Sequence, residues 1–150
     1  MSDEQFEIII IGAGPGGLSA ASRAAESGVS HVLLESSAKI ANTIQKYQKG
    51  KHVMATPDIL PLRSPIDFQA GKREIILETW EQGIASYNTN VHYGAEAKKI
   101  EGSKGNFSVE CSNGIKCRYE FPKLNMPVEA LGLLNSIEYW LSVDNVISLS

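Results

Sequence analysis

The chain opens on a short apolar run, Phe6 to Ile11, broken only by the charge at Glu7. A β-branched run of this length with turn residues directly behind it reads as a strand buried on both faces, so the pattern predicts a first strand over 6–11. Gly12-Ala13-Gly14-Pro15-Gly16-Gly17 follows at once, then Leu18 to Ser27, rich in alanine and closed by Gly28. Alanine is the best helix former and a glycine past the last turn is a common left-handed cap, so 18–27 is expected to be helical. His31-Val-Leu-Leu-Glu35 reads as a second apolar strand. Strand, glycine turn, helix and strand make one βαβ unit, with the right-handed crossover that such units adopt.

The pattern then loosens. From Ser36 to Ala70 the prolines Pro57, Pro61 and Pro65 interrupt any regular element, and Lys46, Lys49 and Lys51 stand beside Tyr47. So long a connection inside a compact domain is either functional or unstructured, with a plain solvated loop as the alternative. Ile76, Trp80, Ile84 and Tyr87 recur at three- and four-residue steps, which predicts an amphipathic helix over 72–87 lying on a sheet. Val91-His-Tyr93 reads as a third parallel strand, and 106–111 and 115–119 flank Ser112-Asn113-Gly114 as a hairpin. With Asn113 and Gly114 as the central turn residues, Cys111 would pair with Lys116 and Glu110 with Cys117, and the two thiols would point to opposite faces. Beyond Phe121, Pro122 and Pro127 interrupt the pattern, and 128–141 reads as a short helix or an extended segment. The fold class expected is α/β, a Rossmann-like parallel sheet.

Composition narrows the function. At 150 residues, with 43% apolar and 21% charged positions, the chain has the make-up of one ordinary globular domain. Its net charge of −3 offers no broad cationic field for nucleic acid or anionic lipid. The acidic start, Met1 to Glu7, and an apolar run that stops at Gly12 argue against a secretory signal or a membrane anchor. Cys111 and Cys117 form no disulfide framework, so a reducing cytoplasm is the expected compartment, and their spacing is not the C-x-x-C of a dithiol site. His31, His52 and His92 have no carboxylate or thiol at ligand spacing, so no metal site is expected, and no Ser/His/Asp order or nucleophile elbow is present.

The candidate chemistry sits in the glycine turn. A lone G-x-G-x-x-G is weak, but here it joins a predicted strand to a predicted helix. Gly12 would permit the tight turn, Gly14 would let backbone approach a pyrophosphate, and Gly17 would let the helix pack close to the strands. Free N–H groups and the positive end of the helix dipole then favour an anion there. Leu18-Ser19 stands where a P-loop needs Lys-Ser, which disfavours a nucleoside triphosphate. Glu35 follows Gly17 by 18 residues, at the end of the second strand, where a carboxylate can accept hydrogen bonds from a ribose diol. The same carboxylate would repel a 2′-phosphate, so the nucleotide expected is FAD or NAD rather than NADP.

Gly12 to Leu18, with Ala21, Gly28 and Glu35, resembles the amino-terminal FAD motif of the pyridine nucleotide-disulfide oxidoreductases and their thioredoxin reductase-like and flavin monooxygenase-like relatives. The resemblance implies FAD held by Gly12, Ala13, Gly14, Pro15, Gly16, Gly17 and Glu35. It also implies flavin contacts at Asn42 and Thr43, in a stretch, 41–54 and 60–65, similar to the segment that passes near the flavin. It implies an adenine contact through the backbone of Ala97, and an antiparallel β-meander inserted at about 98–121. In that family a last parallel strand then closes over the FAD; here Tyr119-Glu-Phe121 begins as it might, and Pro122 to Pro127 resembles the linker beyond it. No second G-x-G-x-x-G follows.

The expected organisation is therefore an FAD-binding fold over 1–121, its sheet incomplete at the carboxyl end, and a linker-like tail over 122–150 resembling the start of a nicotinamide domain. An open sheet edge would call for a partner domain or a second copy. The function implied is that of an FAD-binding, NAD(P)H-linked flavoprotein oxidoreductase or its amino-terminal portion, with NAD(P)H as co-substrate only if a second domain exists. Its catalytic residues are not indicated. An NAD-binding module without flavin and a non-catalytic remnant are the alternatives.

Overall fold

The computed structural model describes residues 3–53, 64–103 and 105–119. The parallel strands β2 (Ile8–Ile11), β3 (His31–Glu35) and β6 (Val91–Tyr93) form a sheet in the order β2-β3-β6. Helix α1 (Pro15–Glu26) crosses from β2 to β3, and α3 (Arg73–Ser86) precedes β6. β3 is the centre strand and all five of its residues are buried, as a run of alternating partners on both faces requires.

The two faces of that sheet are covered by different layers. Leu33 and Ile10 point to one side and join Leu18, Ala21, Ile76, Leu77 and Trp80 from the helices. Val32, Leu34 and Ile9 point to the other and join Phe6, Val109, Cys111 and Cys117. The second layer is a sheet in the order β1-β9-β8-β7, made of β1 (Asp3–Phe6), β7 (Ala97–Ser103), β8 (Asn106–Cys111) and β9 (Lys116–Tyr119). β7, β8 and β9 are the antiparallel meander expected from the sequence, while β1 pairs with β9 in parallel.

Four expectations are corrected. The run 6–11 is not one strand, because the chain changes layer at Glu7: the N–H groups of Glu7 and Ile8 both donate to the Ser30 carbonyl, and the Glu7 carboxylate accepts from the Ser30 N–H at 2.9 Å. Apolar periodicity cannot show such a change of partner. The connection 36–70 is not featureless either, since it carries the short helix α2 (Asn42–Gln45) and the strand β4 (His52–Val53), which pairs with β5 (Gly71–Lys72). Helix α1 begins at Pro15 rather than Leu18, with proline in a first-turn position whose N–H would have no partner in any case.

The fourth correction concerns the hairpin. Val109 faces Cys117 and Glu110 faces Lys116, and the Cys111 N–H donates to the Ile115 carbonyl at 2.9 Å. The loop therefore has three residues, with Gly114 at a φ of +82°. A register one step from the expected one puts Cys111 and Cys117 on the same buried face, where both are free thiols. Burial raises the Cys111 thiol and, with smaller help from Cys111 and the acidic residues of β1, pushes Cys117 up from 9.0 to about 11. A folded-state value above the unfolded one contributes stability that is present below about pH 9 and lost as pH rises toward about 11. The urea midpoint should fall over that window, and Cys117→Ala should flatten the fall; an identical slope in the variant would contradict the assignment.

Pro57, Pro61, the stretch 60–63, the expected segment 128–141 and the tail 122–150 lie outside the described residues. Among the described residues β2 has a neighbour on one side only, and Ile11 at its end is 41% exposed; the expected last parallel strand beyond Tyr119 lies outside the described residues.

Candidate functional site

The glycine turn stands at the carboxyl ends of the parallel strands, where ligands of open α/β sheets bind. Gly12 has a φ of +93°, a value that side chains disfavour, and its N–H donates to the Leu34 carbonyl at 2.8 Å. This bends the chain directly off β2 while keeping it attached to β3. A Cβ at Gly17 would lie 1.9 Å from the Gly12 carbonyl oxygen, so the third glycine is required by the contact between helix and turn. Gly14 is different. Its φ of −77° is open to any residue, and a Cβ there would meet nothing within 4 Å. Neither backbone nor packing within the described chain accounts for glycine at position 14, and the space its side chain would fill is the space in front of the α1 N-terminus.

That N-terminus has no side-chain cap. The first hydrogen bond of the helix runs from the Leu18 N–H to the Gly14 carbonyl at 2.9 Å, so the N–H groups of Gly16 and Gly17 precede any intrahelical acceptor. Pro15 and Gly16 are exposed and Ala13 is fully buried. The turn thus presents backbone donors, a positive dipole end and an open approach, the requirements of an anion site.

Glu35, 7% exposed, faces this turn. Its Oε2 accepts from the Ala13 N–H at 2.7 Å, and its Oε1 accepts from the Ser37 N–H at 2.7 Å and the Ser36 hydroxyl at 3.2 Å. A carboxylate has roughly four acceptor positions, so one remains after these three bonds. The carboxylate that the spacing marked for a ribose also ties the glycine turn to the end of β3, a duty no sequence signal announced.

Asn42 and Thr43 are brought close to the turn by their neighbour. Ala41 donates its N–H to the Ala13 carbonyl at 2.8 Å, and its φ of 49° is a left-handed conformation rarely taken by alanine. Asn42 follows half-buried and Thr43 exposed, in the first turn of α2. Sequence reasoning missed what holds α2 in place. Arg73, at the start of α3, donates from Nε to the Ile44 carbonyl at 3.1 Å and from Nη2 to the Gln45 carbonyl at 2.5 Å, closing the end of that short helix. Nothing local to Asn42 could have pointed 31 residues along the chain to this arginine.

Ala97 is placed differently. It opens β7, half-buried, with its side chain against the cluster on the meander side. Two residues earlier, the Ala95 N–H donates to the Glu35 carbonyl at 2.9 Å, so the backbone approaching Ala97 runs beside the end of β3. The histidines form no cluster with it. His31 is buried, its Nδ1 2.8 Å from the Val29 carbonyl and its Nε2 accepting from the Asn90 N–H, so the ring is tied to backbone on both sides. No group of three or more metal-ligating side chains occurs among the described residues, and none of their helices is long and apolar enough to cross a membrane.

Comparison with known proteins agrees with this geometry. A family model described as pyridine nucleotide-disulphide oxidoreductase matches residues 9–124, which takes in the turn, Glu35, α3 and the meander. Among solved structures, bacillithiol disulfide reductase Bdr from Staphylococcus aureus superposes with a TM-score of 0.63 at 20% identity, over 77% of this chain and 36% of that one. The same-named enzyme from Bacillus cereus gives 0.62 at 20% identity, over 85% and 45%. A flavin-containing monooxygenase from Stenotrophomonas maltophilia gives 0.61 at 19% identity, over 77% and 36%. The chain thus spans less than half the length of each. No curated protein matched.

Proposed function

The chain belongs to the pyridine nucleotide-disulphide oxidoreductase family, and on that premise we propose that it is the FAD-binding half of a flavin-dependent oxidoreductase. The observation that carries this reading is the open space at Gly14, beside a buried carboxylate that faces the same turn. The N–H groups of the first turn of α1 hold the pyrophosphate and Glu35 accepts from the adenosine ribose, while the flavin end extends toward Asn42 and Thr43. The backbone at Ala97 borders the adenine. Bound FAD would supply the electron chemistry; the chain's own part is to bind, orient and shield it. Reduction by NAD(P)H requires a nicotinamide-binding domain or partner, for which the second dinucleotide fold of such reductases is the expected source. The free, buried thiols suit a reducing cytoplasm, and neither has the lowered pKa of a reactive cysteine.

Calorimetry with FAD and with NAD, together with the absorption spectrum of the purified chain, tests the reading. Yellow protein, or uptake of FAD near one equivalent with little affinity for NAD, is the expected result. Preference for NAD would make the chain a nicotinamide module instead, and uptake of neither would leave a non-catalytic remnant.

Glu35→Ala should weaken FAD binding by roughly 1.5–3 kcal/mol, the range for hydrogen bonds to a charged group. It should also lower folding stability by about 1–3 kcal/mol, because the buried Ala13 N–H loses its acceptor. Glu35→Gln retains an acceptor oxygen and should lose less on both counts. Titration and urea unfolding of the two variants check the pair.

A further inference from the structure

We propose that the phenol ring of Tyr93 is the platform on which the adenine of the bound nucleotide stacks. This deepens the reading above and rests on it. The parallel sheet runs β2-β3-β6, and the carboxyl ends of the three strands carry in turn the glycine bend, Glu35 and Tyr93. Neighbouring strands lie about 4.8 Å apart, so these groups form a row across one edge. An adenosine diphosphate has its parts in the same order: diphosphate, ribose, base. With the diphosphate at the bend and the ribose on Glu35, the base arrives at the end of β6.

Tyr93 is the register partner of Glu35, so the two side chains leave the same face of the sheet. It is 43% exposed, while Glu35 beside it is buried. The other large apolar residues exposed among those described are Ile11, Ile75, Ile100 and Phe107, and the sole further aromatic, Phe107, belongs to the meander. The backbone that follows the ring is fastened. The Gly94 N–H donates to the Ser37 carbonyl at 3.2 Å and the Ala95 N–H to the Glu35 carbonyl at 2.9 Å, which fastens the chain after Tyr93 to the bend after Glu35. A ring carried on fastened backbone loses less entropy when a base settles on it than one carried on a free loop. Burial, with smaller contributions from Glu81 and Glu35, holds the phenol above its ordinary pKa, so the ring is uncharged at neutral pH. Aromatic stacking accepts any base, which makes Tyr93 a source of affinity and leaves base selection to other contacts.

Calorimetric titration of the full chain with ADP and with ribose 5-diphosphate, which lacks the base, tests the assignment in wild type, Tyr93→Phe and Tyr93→Ala. Tyr93→Ala should weaken ADP binding by a factor of roughly 5 to 150. Tyr93→Phe should stay within about twofold of wild type, because stacking needs the ring and not the hydroxyl. The base-free probe should bind all three alike. ADP affinity unchanged in Tyr93→Ala, or an equal loss for both probes, overturns the stacking role while leaving the diphosphate site intact. A wild-type chain that binds neither probe overturns the proposed function and the role of Tyr93 with it.

Discussion

Replacing Gly17 with alanine is expected to lower folding stability by about 3 kcal/mol or more, at the upper end of the range for overpacked sites. The added Cβ would sit 1.9 Å from the carbonyl oxygen of Gly12, with the carbonyl carbon at 3.1 Å and a Leu33 methyl at 3.3 Å. A methyl group can turn aside. The Gly12 carbonyl cannot, because the N–H of the same residue is bonded to Leu34 and its φ of +93° is already confined to glycine's territory. Relief would have to come from α1 moving off the sheet as a body, and that would uncover Leu18 and Ala21, both fully buried. The variant should show a urea midpoint well below wild type and poor expression. A midpoint within experimental error of wild type would mean that helix and turn do not touch as described.

The parts of this molecule that were legible in the sequence are those where one short segment determines its own conformation. The glycine turn between strand and helix, the acid at the end of β3, the stripe Ile76, Trp80 and Ile84 of α3 and the hairpin around Asn113 and Gly114 each rest on residues near one another in the chain, whereas the full meander came only from the family resemblance. What the sequence hid depends on partners far along the chain. The run 6–11 looks uniform, yet β1 pairs with Lys116–Tyr119 in one layer and β2 with His31–Leu34 in another. The hairpin was recognisable, but a single extra loop residue puts the two cysteines on one face instead of opposite ones, and composition does not count loop residues. In the candidate site the same division holds. Gly12, Gly14, Gly17 and Glu35 announce themselves by spacing, whereas Arg73 holds α2 and Tyr93 stands beside Glu35 only because strands and helices distant in sequence are folded together.

Gly14→Val should abolish dinucleotide binding while leaving the fold close to wild type, the reverse balance from Gly17→Ala. The two glycines are three residues apart and differ in what surrounds the missing side chain. At Gly14 the new atoms meet no neighbour within 4 Å and the backbone is already extended, so overpacking and strain are both absent. The remaining structural cost is the poorer capping of valine at a helix N-terminus, on the order of 1 kcal/mol. Those atoms do, however, fill the ground directly before the Gly16 and Gly17 N–H groups, and an anion that must come within about 3 Å of the donors would be held away. Loss of contact at a preorganised diphosphate site should take the affinity below detection. The measurement pairs far-UV circular dichroism and urea unfolding with FAD titration: near-native unfolding with no uptake identifies Gly14 as a ligand-facing position. If the variant binds FAD as wild type does, the diphosphate lies elsewhere, and the open space before α1 needs another explanation.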